Sequence, residues 1–166
     1  LQTESVAALP FVWARFFVGE TGVPEAFRYG SSEVGLPLAD AIAPWLLPLT
    51  AVGLLVLVLA RATGRLDHAP VADIAFVVVL WLMVTSRVLS PQYNVWLIGM
   101  AALVWAAGSV RMRRATVAVA VSAVCAQALY PFAYMDIIYG GFAGIAWQTA
   151  RIVALVAALV LGVRAL

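Results

Sequence analysis

A short polar segment between two strongly apolar stretches carries the side chains best suited to chemistry. It places Arg87, Ser90, Gln92 and Tyr93 around Pro91. Proline lacks a backbone donor and clashes with the preceding helical turn, so it predicts a helix break here. A guanidinium binds phosphate oxygens bidentately, and hydroxyl, amide and phenol groups can add hydrogen bonds. The segment is therefore a candidate site for an anionic head group.

The composition indicates a membrane protein. Of the 166 residues, 65% are apolar, and the mean hydropathy is +1.04, whereas soluble domains are about 45–50% apolar. A net charge of +2 is too small to argue for a nucleic-acid partner. The single cysteine, Cys125, excludes an intrachain disulfide. We expect a multi-pass protein of the plasma membrane with lipid around it, no cofactor, and a metal requirement that the residues leave open.

Five apolar segments are long enough to cross a bilayer, since each reaches roughly 27–30 Å as a helix. The predicted fold is therefore all-α, a polytopic transmembrane helix bundle. Residues 1–40 differ, because Pro10 and Arg15 interrupt a short apolar stretch and a turn-rich segment follows. We predict an amphipathic interfacial or re-entrant helix and an extracytoplasmic loop there, followed by the bundle over residues 41–166. The expected spans are residues 41–60, 71–89, 93–110, 115–134 and 142–161.

The arginines between the spans predict the orientation. With five crossings, six of these arginines fall on one side of the membrane. Cytoplasmic loops carry an excess of basic residues, so we expect this side to be the cytoplasm. The C-terminus is then cytoplasmic, and residues 86–94 lie on the extracytoplasmic face. The six are Arg61, Arg65, Arg111, Arg113, Arg114 and Arg164.

Two motifs resemble a known family. Residues 87–93, Arg-Val-Leu-Ser-Pro-Gln-Tyr, precede Trp96 and Leu97, and resemble a basic-x-x-Ser-Pro-Gln-Tyr-x-x-Trp-Leu signature. That signature is found in GT-C glycosyltransferases of actinobacterial cell envelopes, the mannosyl- and arabinofuranosyltransferases that use polyprenyl-phosphate sugars. Residues 1–5, Leu-Gln-Thr-Glu-Ser, resemble the Arg-x-Leu-Gln-x-Glu-Ser segment of the same family.

The resemblance implies a GT-C-like bundle and an enzyme. It would transfer a sugar, mannose or alternatively arabinofuranose, from polyprenyl phosphate to a glycolipid or glycan acceptor outside the cell. Such enzymes keep a catalytic carboxylate on an outer loop near their N-terminus, and nothing equivalent precedes Leu1. We therefore expect a C-terminal half that has the N-terminal half of the same protein as its partner, contains no catalytic residue and is inactive alone.

The residues that we expect to bind the phosphate or sugar of the donor, given this resemblance, are Arg87, Ser90, Gln92, Tyr93 and Arg151. Each has a simpler alternative. Arg87 can snorkel to bulk lipid, Ser90 and Gln92 can satisfy backbone groups freed by Pro91, and Tyr93 can be an interfacial aromatic. Arg151 lies inside a predicted span, where a charge faces the bundle and has a partner, such as Asp136, a carboxylate of the other half or the donor phosphate.

Gln2, Glu4, Ser5 and Asp136 are candidates for acceptor binding or for structural roles. Glu4 can orient an acceptor hydroxyl, pair with a basic residue, or favour the positive end of a helix that Thr3 or Ser5 caps. Asp136 can pair with an arginine, bind the acceptor or be a solvated loop acid. A transporter subunit or a non-catalytic membrane scaffold remains the alternative from another class. A transporter should show paired broken helices in related halves, and the sequence contains one clear break and no repeat.

Overall fold

The computed structural model describes residues 1–166 apart from the side chain of Glu20, and the chain is mostly helical. The predicted all-α class agrees with it. The helices are α1 Leu9–Gly22, α2 Pro37–Ile42, α3 Leu46–Ala62, α4 Val71–Val84, α5 Asn94–Ala107, α6 Arg113–Ala128, α7 Tyr134–Tyr139 and α8 Phe142–Ala165.

Within the described residues, three helical stretches are long and apolar enough to cross a membrane. They are Pro37–Ala62, Val110–Tyr139 and Phe142–Ala165. Short 3₁₀ turns lengthen the first two, and a π turn at Leu129–Ala133 joins α6 to α7. The expected spans 41–60, 115–134 and 142–161 fall within these stretches.

The other two expected spans, 71–89 and 93–110, coincide with shorter helices. Both α4 and α5 have 14 residues, about 21 Å of helix. The helix α4 ends at Val84, and the Ser86 side chain just beyond it supplies a local alternative to helical hydrogen bonds. Thr85 Oγ1 donates to the carbonyl of Trp81. Ser86 Oγ accepts from the Val88 amide and donates to the Val88 carbonyl.

A β-hairpin stands where the sequence indicated only a loop. Strands β1, Glu25–Arg28, and β2, Ser31–Val34, pair antiparallel. Tyr29 and Gly30 form the two-residue connection, and both have positive φ, 53° and 77°. Such turns match the twist of the flanking strands, which explains how so short a hairpin closes.

The core of the bundle lies among α4, α5, α6 and α8, where Phe76, Leu80, Leu97 and Leu155 are fully buried. The most extensive contact joins α6 to α8. Buried small residues on both helices, including Ala115, Ala126 and Ala158, allow the two backbones to approach closely.

The two ends of the bundle differ. At one end, His68 Nε2 lies 2.7 Å from the Leu166 carbonyl oxygen, and the Asp73 carboxylate accepts from the Ser109 amide at 3.1 and 3.2 Å. These contacts gather the α3–α4 connection, the α5–α6 connection and the end of α8. At the other end, Gln2 joins three segments through its pairing with Glu33 and Arg87. These segments are residues 1–5, the hairpin and residues 85–93.

Candidate functional site

Residues 1–5, the N-terminal strap, are bound directly to the helix break around Pro91. The Gln2 amide N–H donates to the Arg87 carbonyl at 3.1 Å. Its side chain accepts from the Leu89 amide through Oε1 at 2.7 Å and donates to Ser90 Oγ through Nε2, also at 2.7 Å. The two motifs that resemble the glycosyltransferase family are therefore one structural unit, although they are 88 residues apart.

Arg151 supports this unit from the interior. Its side chain on α8 is 1% exposed. Nη2 donates to the Leu89 carbonyl at 2.8 Å, and Nη1 donates to Gln148 Oε1 at 2.9 Å and to the Glu4 carbonyl at 3.4 Å. Gln148 Nε2 donates to the same Glu4 carbonyl at 2.8 Å. The guanidinium thus lies behind the break and connects it to the strap.

Asp136 is not among the partners of Arg151. Its Oδ2 accepts from the Gly144 amide at 3.2 Å, in the first turn of α8, and its backbone carbonyl accepts from the Gly141 amide. A carboxylate at that position satisfies an unpaired helical amide and favours the positive end of the helix dipole. Asp136 therefore has a structural role at the start of the helix that carries Arg151.

The Glu4 carboxyl group lies in the buried part of the site. Glu4 is 3% exposed, and this burial raises the pKa of its carboxyl group to about 7. The nearby charge of Arg151 and the Tyr134 hydroxyl act in the opposite direction and lower the pKa, but burial has the larger effect. Among the described residues, Glu4 Oε2 and the hydroxyls of Thr3 and Ser5 have no hydrogen-bond partner. Glu4 and Ser5 therefore lie inside the strap and away from the open surface.

The remaining predicted residues are at least partly exposed to solvent or lipid. Arg87 and Gln92 are exposed, and Ser90 and Tyr93 are half-buried. The Tyr93 ring stacks on Trp96 with 5.1 Å between the centroids. Although Ser90 precedes the 3₁₀ turn at Pro91–Tyr93, its side chain makes no capping bond within the described chain.

Arg87 lies at a partly open groove between α3 and α4. The groove has a volume of about 460 Å³. Apolar side chains form most of its walls, with hydroxyl groups and the guanidinium in addition. Its lining residues are Ala43, Pro44, Leu46, Leu47, Thr50, Leu82, Thr85, Ser86 and Arg87.

Three further polar residues of this region, Thr50, Thr85 and Asn94, are not among those predicted from the sequence. The hydroxyl oxygens of Thr50 and Thr85 lie 2.7 Å apart across the groove and join α3 to α4. Asn94 is buried, and its Nδ2 has no hydrogen-bond partner in the described part of the chain. The sequence signal that could have identified them is an isolated hydroxyl or amide residue inside an apolar segment, because a polar group at membrane depth needs a partner.

The described side chains include no group of three or more His, Cys, Asp or Glu residues that could hold a metal ion. The site has two parts. The accessible part contains the Arg87 cation and hydrogen-bonding groups, and the buried part is the polar cluster around Arg151. The accessible part can bind an anion.

Comparison with known proteins identifies no relative. No protein-family model, curated protein or solved structure matches this chain. The likeness of residues 1–5 and 87–97 to the glycosyltransferase motifs therefore stays a prediction, and the functional assignment depends on the residues of the site.

Proposed function

We propose that this chain is the lipid-donor part of a membrane glycosyltransferase of the cell envelope. It would transfer mannose, or alternatively arabinofuranose, from polyprenyl phosphate to an extracytoplasmic glycolipid or glycan. The observation that carries the proposal is the contact of Gln2 with Leu89 and Ser90. This contact joins both motifs of the resemblance beside a groove that Arg87 lines.

The groove suits the two chemical parts of a lipid phosphate. Leu46, Leu47 and Leu82 provide apolar surface for an isoprenoid chain, and Arg87 provides a cation for the phosphate. A volume of about 460 Å³ lies within the range of ligand sites, roughly 300–1,000 Å³. Ser90, Gln92 and Tyr93 follow the groove-lining residues in the chain and are at least partly exposed, so they can add hydrogen bonds to phosphate or sugar. Arg151 holds the backbone just before them through the Leu89 carbonyl.

The proposed reaction is a displacement at the anomeric carbon. The acceptor oxygen forms a bond to that carbon while the bond from the carbon to the phosphate oxygen breaks, and a carboxylate takes the acceptor proton. We place that carboxylate in a part of the protein outside this chain, as the resemblance implies. Arg87 stabilises the charge that grows on the leaving phosphate, so its contribution is larger in the transition state than in the ground state.

We also propose five membrane crossings, with the break on the extracytoplasmic face and the C-terminus in the cytoplasm. The gathering of the α3–α4 connection, the α5–α6 connection and Leu166 at one end supports this arrangement. The helices α4 and α5 are several ångströms shorter than a typical hydrocarbon core, about 30 Å. Local bilayer thinning, snorkelling of flanking residues and packing against longer helices can accommodate that difference.

Lipid binding in nanodiscs tests the proposal. We expect the chain to prefer polyprenyl phosphate to a neutral polyprenol of equal length, and Arg87→Ala to reduce this preference about tenfold or more, because charged hydrogen bonds are lost. Arg28→Ala is the matched control, since Arg28 is an exposed arginine that pairs with Asp40 at 3.1 Å and does not line the groove. Equal binding of both lipids, or equal losses in the two variants, would contradict the proposal and favour a transporter or scaffold.

A further inference from the structure

The orientation of the Gln2 side-chain amide is determined by its neighbours. The Leu89 amide N–H can only donate, so the Gln2 atom that faces it at 2.7 Å must be the carbonyl oxygen. The amide nitrogen therefore faces Ser90 Oγ at 2.7 Å. Because an amide nitrogen can only donate, Ser90 Oγ is the acceptor in this bond.

This geometry leaves the Ser90 proton outside the bond with Gln2. Ser90 is half-buried, and its hydroxyl does not cap the following turn in the part of the chain that the structure describes. Gln2 itself is 3% exposed, and the strap and hairpin hold its backbone through the Arg87 and Glu33 contacts. A rigid donor thus occupies one side of the Ser90 oxygen, and the Ser90 proton is available to an acceptor other than Gln2.

We propose that Gln2 is a positioning residue that orients the Ser90 hydroxyl as a hydrogen-bond donor to the lipid phosphate. The inference rests on the proposed function and adds a specificity element to it. Ionised phosphate oxygens accept hydrogen bonds and cannot donate them. The Ser90 hydroxyl already accepts a hydrogen bond from Gln2, so its own proton is left to donate, and this arrangement favours an anionic ligand. A neutral polyprenol gains less from this arrangement, because a hydrogen bond to its uncharged hydroxyl oxygen is weaker than one to an ionised phosphate oxygen.

A double-mutant cycle in nanodiscs tests the coupling. The readout is the affinity for polyprenyl phosphate divided by that for polyprenol, which a general loss of folded protein does not change. We expect Ser90→Ala to lower this ratio about tenfold, as for one hydrogen bond to a charged group, and Gln2→Met to lower it several-fold. The double variant should be no worse than Ser90→Ala alone, because Gln2 acts through Ser90. Ser90→Thr, which keeps a hydroxyl, should retain most of the preference.

Gln127→Met is the matched control, since Gln127 is an exposed glutamine on α6 outside the polar cluster of the site. It should retain the phosphate preference. Additive losses in the cycle, or an equal loss in Gln127→Met, would overturn the positioning role. If the wild-type preference still depends on Arg87, the proposed function survives that result. A wild-type chain without any preference would overturn both.

Discussion

Replacing Arg151 by methionine should destabilise the end of the bundle that carries the helix break. The substitution removes hydrogen bonds of 2.8 Å to the Leu89 carbonyl and 2.9 Å to Gln148, and a longer one of 3.4 Å to the Glu4 carbonyl. Each of the two short bonds from a charged donor is worth about 1.5–3 kcal/mol. Methionine avoids the cost of burying a guanidinium, which offsets part of the loss. We expect a net decrease of about 2–4 kcal/mol in the free energy of unfolding.

The loss should depend on Glu4, because its buried carboxyl group then lacks the nearby positive charge. In the Glu4→Gln background, Arg151→Met should therefore cost at least about 1 kcal/mol less. Reversible unfolding in detergent, followed by tryptophan fluorescence, measures both values. Arg164→Met is the matched control, since it removes an exposed arginine from the same helix. Equal stability of Arg151→Met and Arg164→Met, or the same loss with and without Glu4, would refute this reasoning.

Three other changes have defined outcomes. Burial raises the Glu4 pKa from 4.5 to about 7. Folding stability should therefore be highest below about pH 4.5 and fall by up to about 3 kcal/mol as the pH rises through about 7. The Glu4→Gln variant should lack this decrease when its unfolding is measured against pH. Gly53→Ala should destabilise α3 packing by about 1–3 kcal/mol, because the new Cβ clashes with the Trp81 ring, whereas Gly99→Ala on α5 meets open space and should be tolerated in the same thermal unfolding assay. Arg15→Met should cost about 2–5 kcal/mol in denaturant unfolding, because the buried guanidinium donates to four backbone carbonyls; wild-type stability would contradict that role.

Long apolar segments were the most predictable part of the fold. The expected span 142–161 lies within α8, because an uninterrupted apolar stretch has no better solution in lipid than a helix. The end of α4 was less predictable. Hydropathy extends the segment to residue 89, but the helix ends at Val84, and Ser86 beyond it bonds the backbone of Val88 instead. Local polar side chains outweigh hydropathy at such a boundary.

The β-hairpin was missed because its strands do not alternate clearly between apolar and polar residues. Tyr29-Gly30 was the available signal, since a two-residue turn needs positive φ at both positions and glycine adopts it without strain. The hairpin matters for the site because its second strand pairs with the strap at Gln2 and Glu33.

The residue types of the site were predictable, but their contacts were not. Motif resemblance selected Gln2 and Ser90 separately, and nothing in the sequence indicates a hydrogen bond between residues so far apart in the chain. For Arg151, the expected partners were carboxylates or the donor phosphate, whereas the observed partners include the carbonyls of Leu89 and Glu4. Backbone carbonyls carry no sequence signature, so only the folded chain reveals them as partners.

Photo-crosslinking most directly tests whether a lipid phosphate binds at the helix break. A polyprenyl phosphate with a photoreactive group next to the phosphate would be added to the chain in nanodiscs, and the labelled peptides mapped by mass spectrometry. We expect labelling within residues 43–50 and 82–93, reduced by Arg87→Ala and by excess unmodified polyprenyl phosphate. Labelling concentrated at Arg111, Arg113 and Arg114, or labelling that neither Arg87→Ala nor competitor reduces, would contradict a lipid-phosphate site at Arg87.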